Sequence, residues 1–410
     1  MANKKISELT SSAPLTGAEL LPLVQGGETL KTTAQDIADL GGGLFEEGTG
    51  LRSIQPSTVG GNNYASGENS TVSGGYYNVA TEYNSTVGGG AFNTAGYYAT
   101  IAGGEDSTAS GQYSSIGGGN ENYASGDAST ISGGNVNTAS GDYSTIGGGY
   151  ENRTPGEYAT IGGGYNNYSS GKFSTISGGY KNDASGYGAV IAGGGYWSDN
   201  ETYNQASGEY FPTIGGGSGN YATETFATIS GGYSNEAAGS YSTVGGGEDN
   251  EATAGSSTAS GGSSNIASGE YSTVGGGYNN TASNYYSTVG GGYNNYSSGE
   301  GSTISGGESN EASGEGSTVS GGNTNIASGN YTVVSGGYNN VASAENSVIV
   351  GGSYNNTSTF ASTIIAGNAI TADQSGCTFV SKLSIKSIPT SAAGLPSGSV
   401  WSNGGVLNIV

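Results

Sequence analysis

The candidate catalytic residues of this chain are acidic. Asp199 and Glu201 lie two positions apart, and Glu248, Asp249 and Glu251 form a second group. Paired carboxylates are the minimum requirement for hydrolysis of a glycosidic bond. The chain has no histidine, which excludes a Ser-His triad and any histidine-based metal site. Because the acids fall mostly at predicted turns, we expect no enzyme activity, no metal and no cofactor.

A second possible chemistry is contact with a ligand. Tyr196, Trp197 and Tyr203 surround the first acid pair, Asp199 and Glu201. Aromatic rings offer an apolar face with a polar edge, and carboxylates accept hydrogen bonds from hydroxyl groups. This segment is the candidate ligand-binding site, with a tolerated insertion as the alternative interpretation.

A repeated motif, Ser/Ala-Thr-Val/Ile-x-Gly-Gly, determines where these acidic and aromatic residues are placed. A shorter-spaced copy at Val59 opens the series. The later central residues are Val72, Val87, Ile101, Ile116, Ile131, Ile146, Ile161, Ile176, Ile191, Ile214, Ile229, Val244, Ala259, Val274, Val289, Ile304, Val319, Val334, Ile349 and Ile364. Almost every step is 15 residues, but about eight extra residues separate Ile191 from Ile214, near residues 195–203. A period this short predicts one small β-unit stacked many times.

Within one repeat, positions are counted from the central Val or Ile as zero. Thr at −1 points away from residue zero, whereas Asn at +6 and Ala at +8 share a face. The pattern predicts two short strands per turn in an all-β parallel β-roll or β-solenoid of about 21 coils. The Asn column predicts a buried amide ladder, with exposed turn residues as the alternative. Its members include Asn78, Asn122, Asn167, Asn235, Asn280, Asn310 and Asn340.

Aromatic residues form two further columns. At −3 they are Tyr98, Tyr113, Tyr143, Tyr158, Phe173, Phe211, Phe226, Tyr241, Tyr271, Tyr286 and Tyr331. At +4 they are Tyr150, Tyr165, Tyr180, Tyr233, Tyr278, Tyr293 and Tyr338. Such rings could pack between chains or stack on sugars.

The net charge of −23 limits the partners of the chain. Only Arg153, Lys172 and Lys181 are basic between residues 53 and 381, so nucleic acid and anionic membranes are not expected to bind. Cys377 is the only cysteine and is expected to be a small buried apolar residue. The amino terminus shows no apolar signal segment, which predicts synthesis in the cytosol and no membrane insertion.

The sequence Ala-Ser-Gly-x-x-Ser-Thr-Val-x-Gly-Gly resembles the head-domain repeats of trimeric autotransporter adhesins over about residues 57–367. The resemblance implies a left-handed parallel β-roll in a three-chain bundle. Each thin coil buries little apolar surface compared with the number of backbone residues that it orders. Packing of several chains side by side would bury more, which also favours a parallel homotrimer.

The two ends resemble segments of bacteriophage fibre and appendage proteins. Residues 1–45 predict a virion-attachment module with a strand at 20–24, a Gly26-Gly27 turn, a strand to Thr33 and a short helix near 33–40. Residues 46–56 are a linker, and 57–367 form the shaft. Residues 368–410 form a β cap with a hairpin around Asn403-Gly404.

These features predict a structural fibre on the surface of a bacterial virus particle. We expect residues 1–45 to bind a tail or capsid protein, and the shaft to contact the host surface, with glycans as ligands. The alternatives are a structural filament or capsid appendage without a receptor site, a polysaccharide depolymerase, and an ice- or surface-binding protein based on the threonine column.

Overall fold

The fold consists of β-structure and turns throughout the residues that the computed structural model describes. These are residues 20–25, 28–33, 45–47, 54–56, 62–195, 202–382, 388–403 and 406–409. They form a parallel β-solenoid of about 21 turns with a period near 15 residues and contain no helix, as the repeat predicts. The chain divides into two compact units, residues 1–234 and 235–410, and both are built from the same coil.

Each regular coil contributes one two-residue strand to a first sheet, which carries the central Val or Ile. In residues 1–234 its strands are Ile54–Pro56, Thr71–Val72, Thr86–Val87, Thr100–Ile101, Ser115–Ile116, Thr130–Ile131, Thr145–Ile146, Thr160–Ile161, Thr175–Ile176, Val190–Ile191, Thr213–Ile214 and Thr228–Ile229. In residues 235–410 they are Thr243–Val244, Thr258–Ala259, Thr273–Val274, Thr288–Val289, Thr303–Ile304, Thr318–Val319, Val333–Val334, Val348–Ser353, Ile364–Asn368 and Thr378–Val380. Phe45–Glu47 pairs antiparallel with Ile54–Pro56.

The second strand of each coil belongs to a second parallel sheet, which carries the alanine column. In residues 1–234 its strands are Tyr64–Ala65, Val79–Ala80, Thr94–Ala95, Thr108–Ala109, Tyr123–Ala124, Thr138–Ala139, Arg153–Thr154, Tyr168–Ser169, Asp183–Ala184, Gln205–Ala206 and Tyr221–Ala222. In residues 235–410 they are Glu236–Ala237, Glu251–Ala252, Ile266–Ala267, Thr281–Ala282, Tyr296–Ser297, Glu311–Ala312, Ile326–Ala327 and Val341–Ala342.

The core lies between the two sheets of each coil. Ile146 of the first sheet and Ala139 of the second sheet are fully buried, as are their equivalents in neighbouring coils. Because side chains alternate along a strand, Thr145 points outward and stays half-buried. Like residues pair across the coils, as Ile146 does with Ile131 and Ile161, so the core repeats every turn.

Each coil turns its corners at two positions, −3 and +5, where the backbone is left-handed although most of the residues are not glycine. The residues at −3 and +5 have φ near 55°, for example Tyr143 at 58° and Glu151 at 55°. The asparagine at +6 is therefore not the exposed left-handed turn residue of the alternative interpretation. It follows that turn residue and points into the coil.

Two expectations about the last turns are wrong. Ile364 is 42% exposed, and Ile365 instead occupies the core. The reason is that this coil is one residue longer, so that Ile349 pairs with Ile365, and a bulge between Ile349 and Gly351 then restores the 15-residue offset from the Gly351–Ala366 pair onward. Cys377 is half-buried rather than buried.

Both ends contain antiparallel hairpins at the predicted places. Leu20–Gln25 pairs with Glu28–Thr33, and Val400–Asn403 pairs with Val406–Ile409. These pairings confirm the predicted strands. The Gly26-Gly27 turn, most of the helix expected near 33–40, the first repeat at Val59 and Gly404 lie outside the described residues.

Candidate functional site

The asparagine column forms a buried ladder in the structure. Asn280 is a representative member: its backbone N–H donates to Asn265 Oδ1 at 3.0 Å. Its side-chain Nδ2 lies 2.9 Å from Gly276 O and 2.9 Å from Gly292 O. The Oδ1 of Asn280 in turn accepts from the backbone and side chain of Asn295. Each amide therefore joins three successive coils, which fixes their register.

The ladder continues through two irregular places. Ser107 replaces asparagine, accepts the Asn122 N–H at its hydroxyl and donates its own N–H to Asn93 Oδ1. After the insertion, Asn204 re-enters the ladder by donating to Asn182 Oδ1 at 3.1 Å. Residues +5 and +7 flank each ladder asparagine and point outward, so Tyr203 and Gln205 take the places that Lys181 and Asp183 hold one coil earlier.

A surface pocket of about 310 Å³ lies between these two outward columns, and we refer to it as the insertion pocket. It is lined by Asn166, Tyr168, Lys181, Asp183 and Tyr203. Three successive coils thus contribute to it, and Tyr203 at the end of the insertion is one of its walls. Tyr203 is fixed by an edge-on contact with Tyr221, with ring centroids 6.2 Å apart. The pocket combines two aromatic rings with several polar groups, which is the composition of a small-ligand site.

Asp183 is the most distinctive polar group of the insertion pocket. Its Oδ1 is buried and has no hydrogen-bond partner within the described part of the chain. Burial raises the pKa of Asp183, and a hydrogen bond with Ser185 opposes the shift. A buried acceptor without a donor is costly, so this carboxyl group is held in place at a price in stability.

Basic residues concentrate in the coils that carry the pocket. Lys181 lies over the Tyr180 ring, with Nζ 5.6 Å from its centroid. Arg153 pairs with Tyr168 in the second sheet, and Tyr168 pairs with Asp183 in the next coil. Lys172 lies in the −4 column, away from the pocket-lining residues, and forms an ion pair with Glu157 at 2.6 Å.

Of the predicted ligand-binding residues, the structure places Tyr203 in the pocket. Tyr196, Trp197, Asp199 and Glu201 lie outside the described residues. Sequence reasoning missed Asn166, Tyr168, Lys181 and Asp183. The available signal was the clustering of basic residues close before the insertion, because no comparable cluster occurs elsewhere in the repeats.

A second concavity, of about 320 Å³, lies where the repeat is one residue short, between Val87 and Ile101. Hydroxyl groups dominate its wall, and Glu82 and Tyr97 complete it. Its lining residues are Thr81, Glu82, Thr94, Gly96, Tyr97, Thr108, Ala109 and Ser110. Both concavities therefore coincide with a departure from the 15-residue period.

The aromatic columns are exposed, but their ring faces cover each other. In the −3 column, Tyr143 and Tyr158 stack with centroids 4.9 Å apart and planes within 8°. In the +4 column, Tyr150 and Tyr165 stack at 5.2 Å. Mutual stacking directs ring edges toward solvent, so sugar stacking is available mainly where a column is interrupted.

Two other kinds of feature are absent from the described residues. These residues contain no group of three or more His, Cys, Asp or Glu side chains arranged to hold a metal ion. None of their segments forms a helix that is long and apolar enough to cross a membrane.

Comparison with known proteins identifies one repeat family. The family described as "Ubiquitous surface protein adhesin repeat" matches residues 174–186 and 302–314. The first match includes Lys181 and Asp183 of the insertion pocket. No curated protein matches the chain. The repeats are thus similar to those of an adhesin, and together with the β-solenoid fold they fit a structural fibre that contacts a surface.

Proposed function

We propose that this protein is a fibre of a bacterial virus that projects from the particle and binds glycans of the host surface at the insertion pocket. The observation that carries the glycan assignment is the pocket itself. Tyr168 and Tyr203 provide aromatic rings for a sugar, and the Asp183 carboxyl group in the pocket wall provides an acceptor for a hydroxyl group. The adhesin-like repeats support a role in surface contact rather than catalysis.

Assembly and attachment complete the proposal. Residues 1–45 attach the fibre to a tail or capsid protein, and three parallel copies of the chain form the shaft. The support for a homotrimer is that each coil has a narrow core of one Val or Ile and one Ala, while many aromatic side chains stay exposed. A trimer would bury part of this exposed aromatic surface.

The test of glycan binding compares two tyrosines that occupy equivalent positions. Tyr168 and Tyr296 are both at +7 in the second sheet and are 42% and 46% exposed, but only Tyr168 lines the insertion pocket. We expect Tyr168→Ala to weaken binding of the full-length protein to purified host polysaccharide about tenfold, as for loss of a stacking ring. Tyr296→Ala should leave binding unchanged.

Equal effects of the two substitutions would overturn the assignment of the pocket. Unchanged adsorption of both variants to host cells would favour a structural filament without a receptor site. Shortening of the polysaccharide during incubation would instead indicate a depolymerase.

A further inference from the structure

We propose that the insertion pocket selects acidic sugars, in which a ring carboxylate accompanies the hydroxyl groups. This inference rests on the proposed glycan-binding function and specifies the ligand class. Its basis is the juxtaposition of Arg153 and Lys181 with an aromatic pocket in a chain that is otherwise strongly acidic.

The charge distribution is the first argument. The chain carries 32 acidic residues and 9 basic ones, and its net charge of −23 repels anionic polymers. The only basic residues between positions 53 and 381 are Arg153, Lys172 and Lys181. All three fall within three successive coils; Lys181 lines the insertion pocket, and Arg153 is the sheet neighbour of the lining residue Tyr168. The electrostatic potential along the repeats is therefore most favourable for an acidic glycan at the insertion pocket.

The geometry of the second sheet is the second argument. Arg153, Tyr168 and Asp183 are consecutive outward residues of three paired strands, so each step is about 4.8 Å. Arg153 is exposed and makes no ion pair with any residue in the described ranges. A sugar ring on Tyr168 would thus have a guanidinium on one side and a carboxyl group on the other.

Asp183 determines the orientation of the bound ring. Its carboxyl group lines the pocket and accepts hydrogen bonds, for which a sugar hydroxyl supplies a donor and a sugar carboxylate does not. Like-charge repulsion by Asp183 directs the ligand carboxylate away, toward Arg153 and Lys181. Neutral sugars can satisfy Asp183, but they gain nothing from the two basic residues.

The repeat itself supplies conservative substitutions for a test. Arg153→Thr introduces the residue found at the equivalent position 138, and Lys181→Asn introduces the residue found at position 166. Asparagine also suits the left-handed backbone of Lys181, whose φ is 52°. Lys172→Gln removes the same charge in the −4 column, outside the pocket, and serves as the matched control.

The experiment measures binding of the full-length protein to a panel of acidic bacterial polysaccharides. Each polysaccharide is presented in its native form and in a form whose uronic carboxyl groups have been reduced to alcohols. We expect the protein to bind the native form more tightly than the reduced form. Binding of the native form should weaken as the salt concentration increases. Arg153→Thr and Lys181→Asn should each weaken this binding about two- to fivefold, as for exposed charge pairs. Lys172→Gln should have no effect.

The outcomes separate this inference from the function on which it rests. Equal binding of native and reduced forms, with loss of both in Tyr168→Ala, would overturn acid selection and retain glycan binding. An equal effect of Lys172→Gln would also overturn it, because general charge rather than the pocket would then be responsible. Failure to bind any polysaccharide of the panel would overturn both proposals.

Discussion

The coils of residues 244–349 and the segment between Ile191 and Ile214 show two uses of one repeat. The first region advances by 15 residues at every step, whereas the second takes 23. In both, the inward residues are the same: a central Val or Ile (Ala259 once), an alanine (Ser297 once) and a ladder asparagine. The outward residues differ, because register constrains only the inward ones. The solenoid can therefore change its surface chemistry without changing its core.

Departures from the period also create shape. The insertion pocket lies beside the 23-residue step, which contributes Tyr203 to its wall. The hydroxyl-lined concavity coincides with a 14-residue step between Val87 and Ile101. Coils of identical length stack into smooth faces, whereas a coil of different length leaves a recess beside its neighbours. Ligand contact is thus expected where the repeat is irregular, and mechanical continuity where it is regular.

The largest effect is expected at adjacent glycines of the regular region. Gly307 has φ of 95°, and an added Cβ would collide with Gly322 O and lie 2.6 Å from Asn310 Nδ2. Gly306 has open space, with its nearest contact at 3.9 Å. We expect Gly307→Ala to lower the free energy of unfolding by about 3 kcal/mol or more, and Gly306→Ala to change it by less than about 0.5 kcal/mol. Thermal unfolding followed by circular dichroism measures both.

Similar losses for both glycines would show that composition, rather than close stacking of coils, requires glycine at these positions. The adjacent pair is its own control, since the two substitutions add the same methyl group one residue apart.

An intermediate effect is expected in the asparagine ladder. Asn280→Ala removes the amide that joins Asn265, Gly276 and Gly292, and it should cost about 2–4 kcal/mol in the free energy of unfolding. Asn280→Ser should cost less, because Ser107 maintains the ladder at the equivalent place. Asn204→Ala tests the same role beside the insertion.

Urea denaturation of the three variants measures these differences. A larger cost at Asn204 than at Asn280 would show that the insertion depends on the ladder more than a regular coil does. No cost at either position would contradict the structural role of the ladder.

Much of this fold follows from the sequence because its constraints repeat. The period predicts the coil, and side-chain alternation predicts which of Thr145 and Ile146 is buried. The asparagine ladder is predictable for the same reason, since a polar residue in phase with the core must find partners in neighbouring coils.

The remaining features depend on single residues that break the repeat. One extra residue between Ile349 and Ile365 exchanges the roles of Ile364 and Ile365, and two adjacent isoleucines give no signal of which one is buried. The insertion pocket was predicted only through Tyr203. Its other walls come from coils of ordinary length, and the pairing of Asp183 with Gln205 places them beside Tyr203.

The smallest effect concerns outward acids of the regular region and their dependence on pH. Glu251 pairs with Glu236 in the second sheet. Burial raises the pKa of Glu251, and the charges of Glu236 and Asp249 raise it further. A raised carboxyl pKa means that the folded state disfavours the charged form. The contribution of Glu251 to the free energy of unfolding is therefore fully present below the ordinary pKa of glutamate, and it is lost as the pH rises through the raised value.

We therefore expect Glu251→Gln to stabilise the protein at pH 8 by less than about 1 kcal/mol after solvent screening, or about 1–3 °C in Tm. The gain should disappear at pH 3, where the carboxyl group is already neutral. Glu311→Gln is the matched control, because the sheet neighbours of Glu311 are the uncharged Tyr296 and Ile326. An equal gain from Glu311→Gln, or a gain from Glu251→Gln that persists at pH 3, would mean that the paired charges do not limit stability. If Glu251→Gln gave no gain at pH 8, the regular coils would be insensitive to outward charge, and acidity could vary along the solenoid at no cost to its fold.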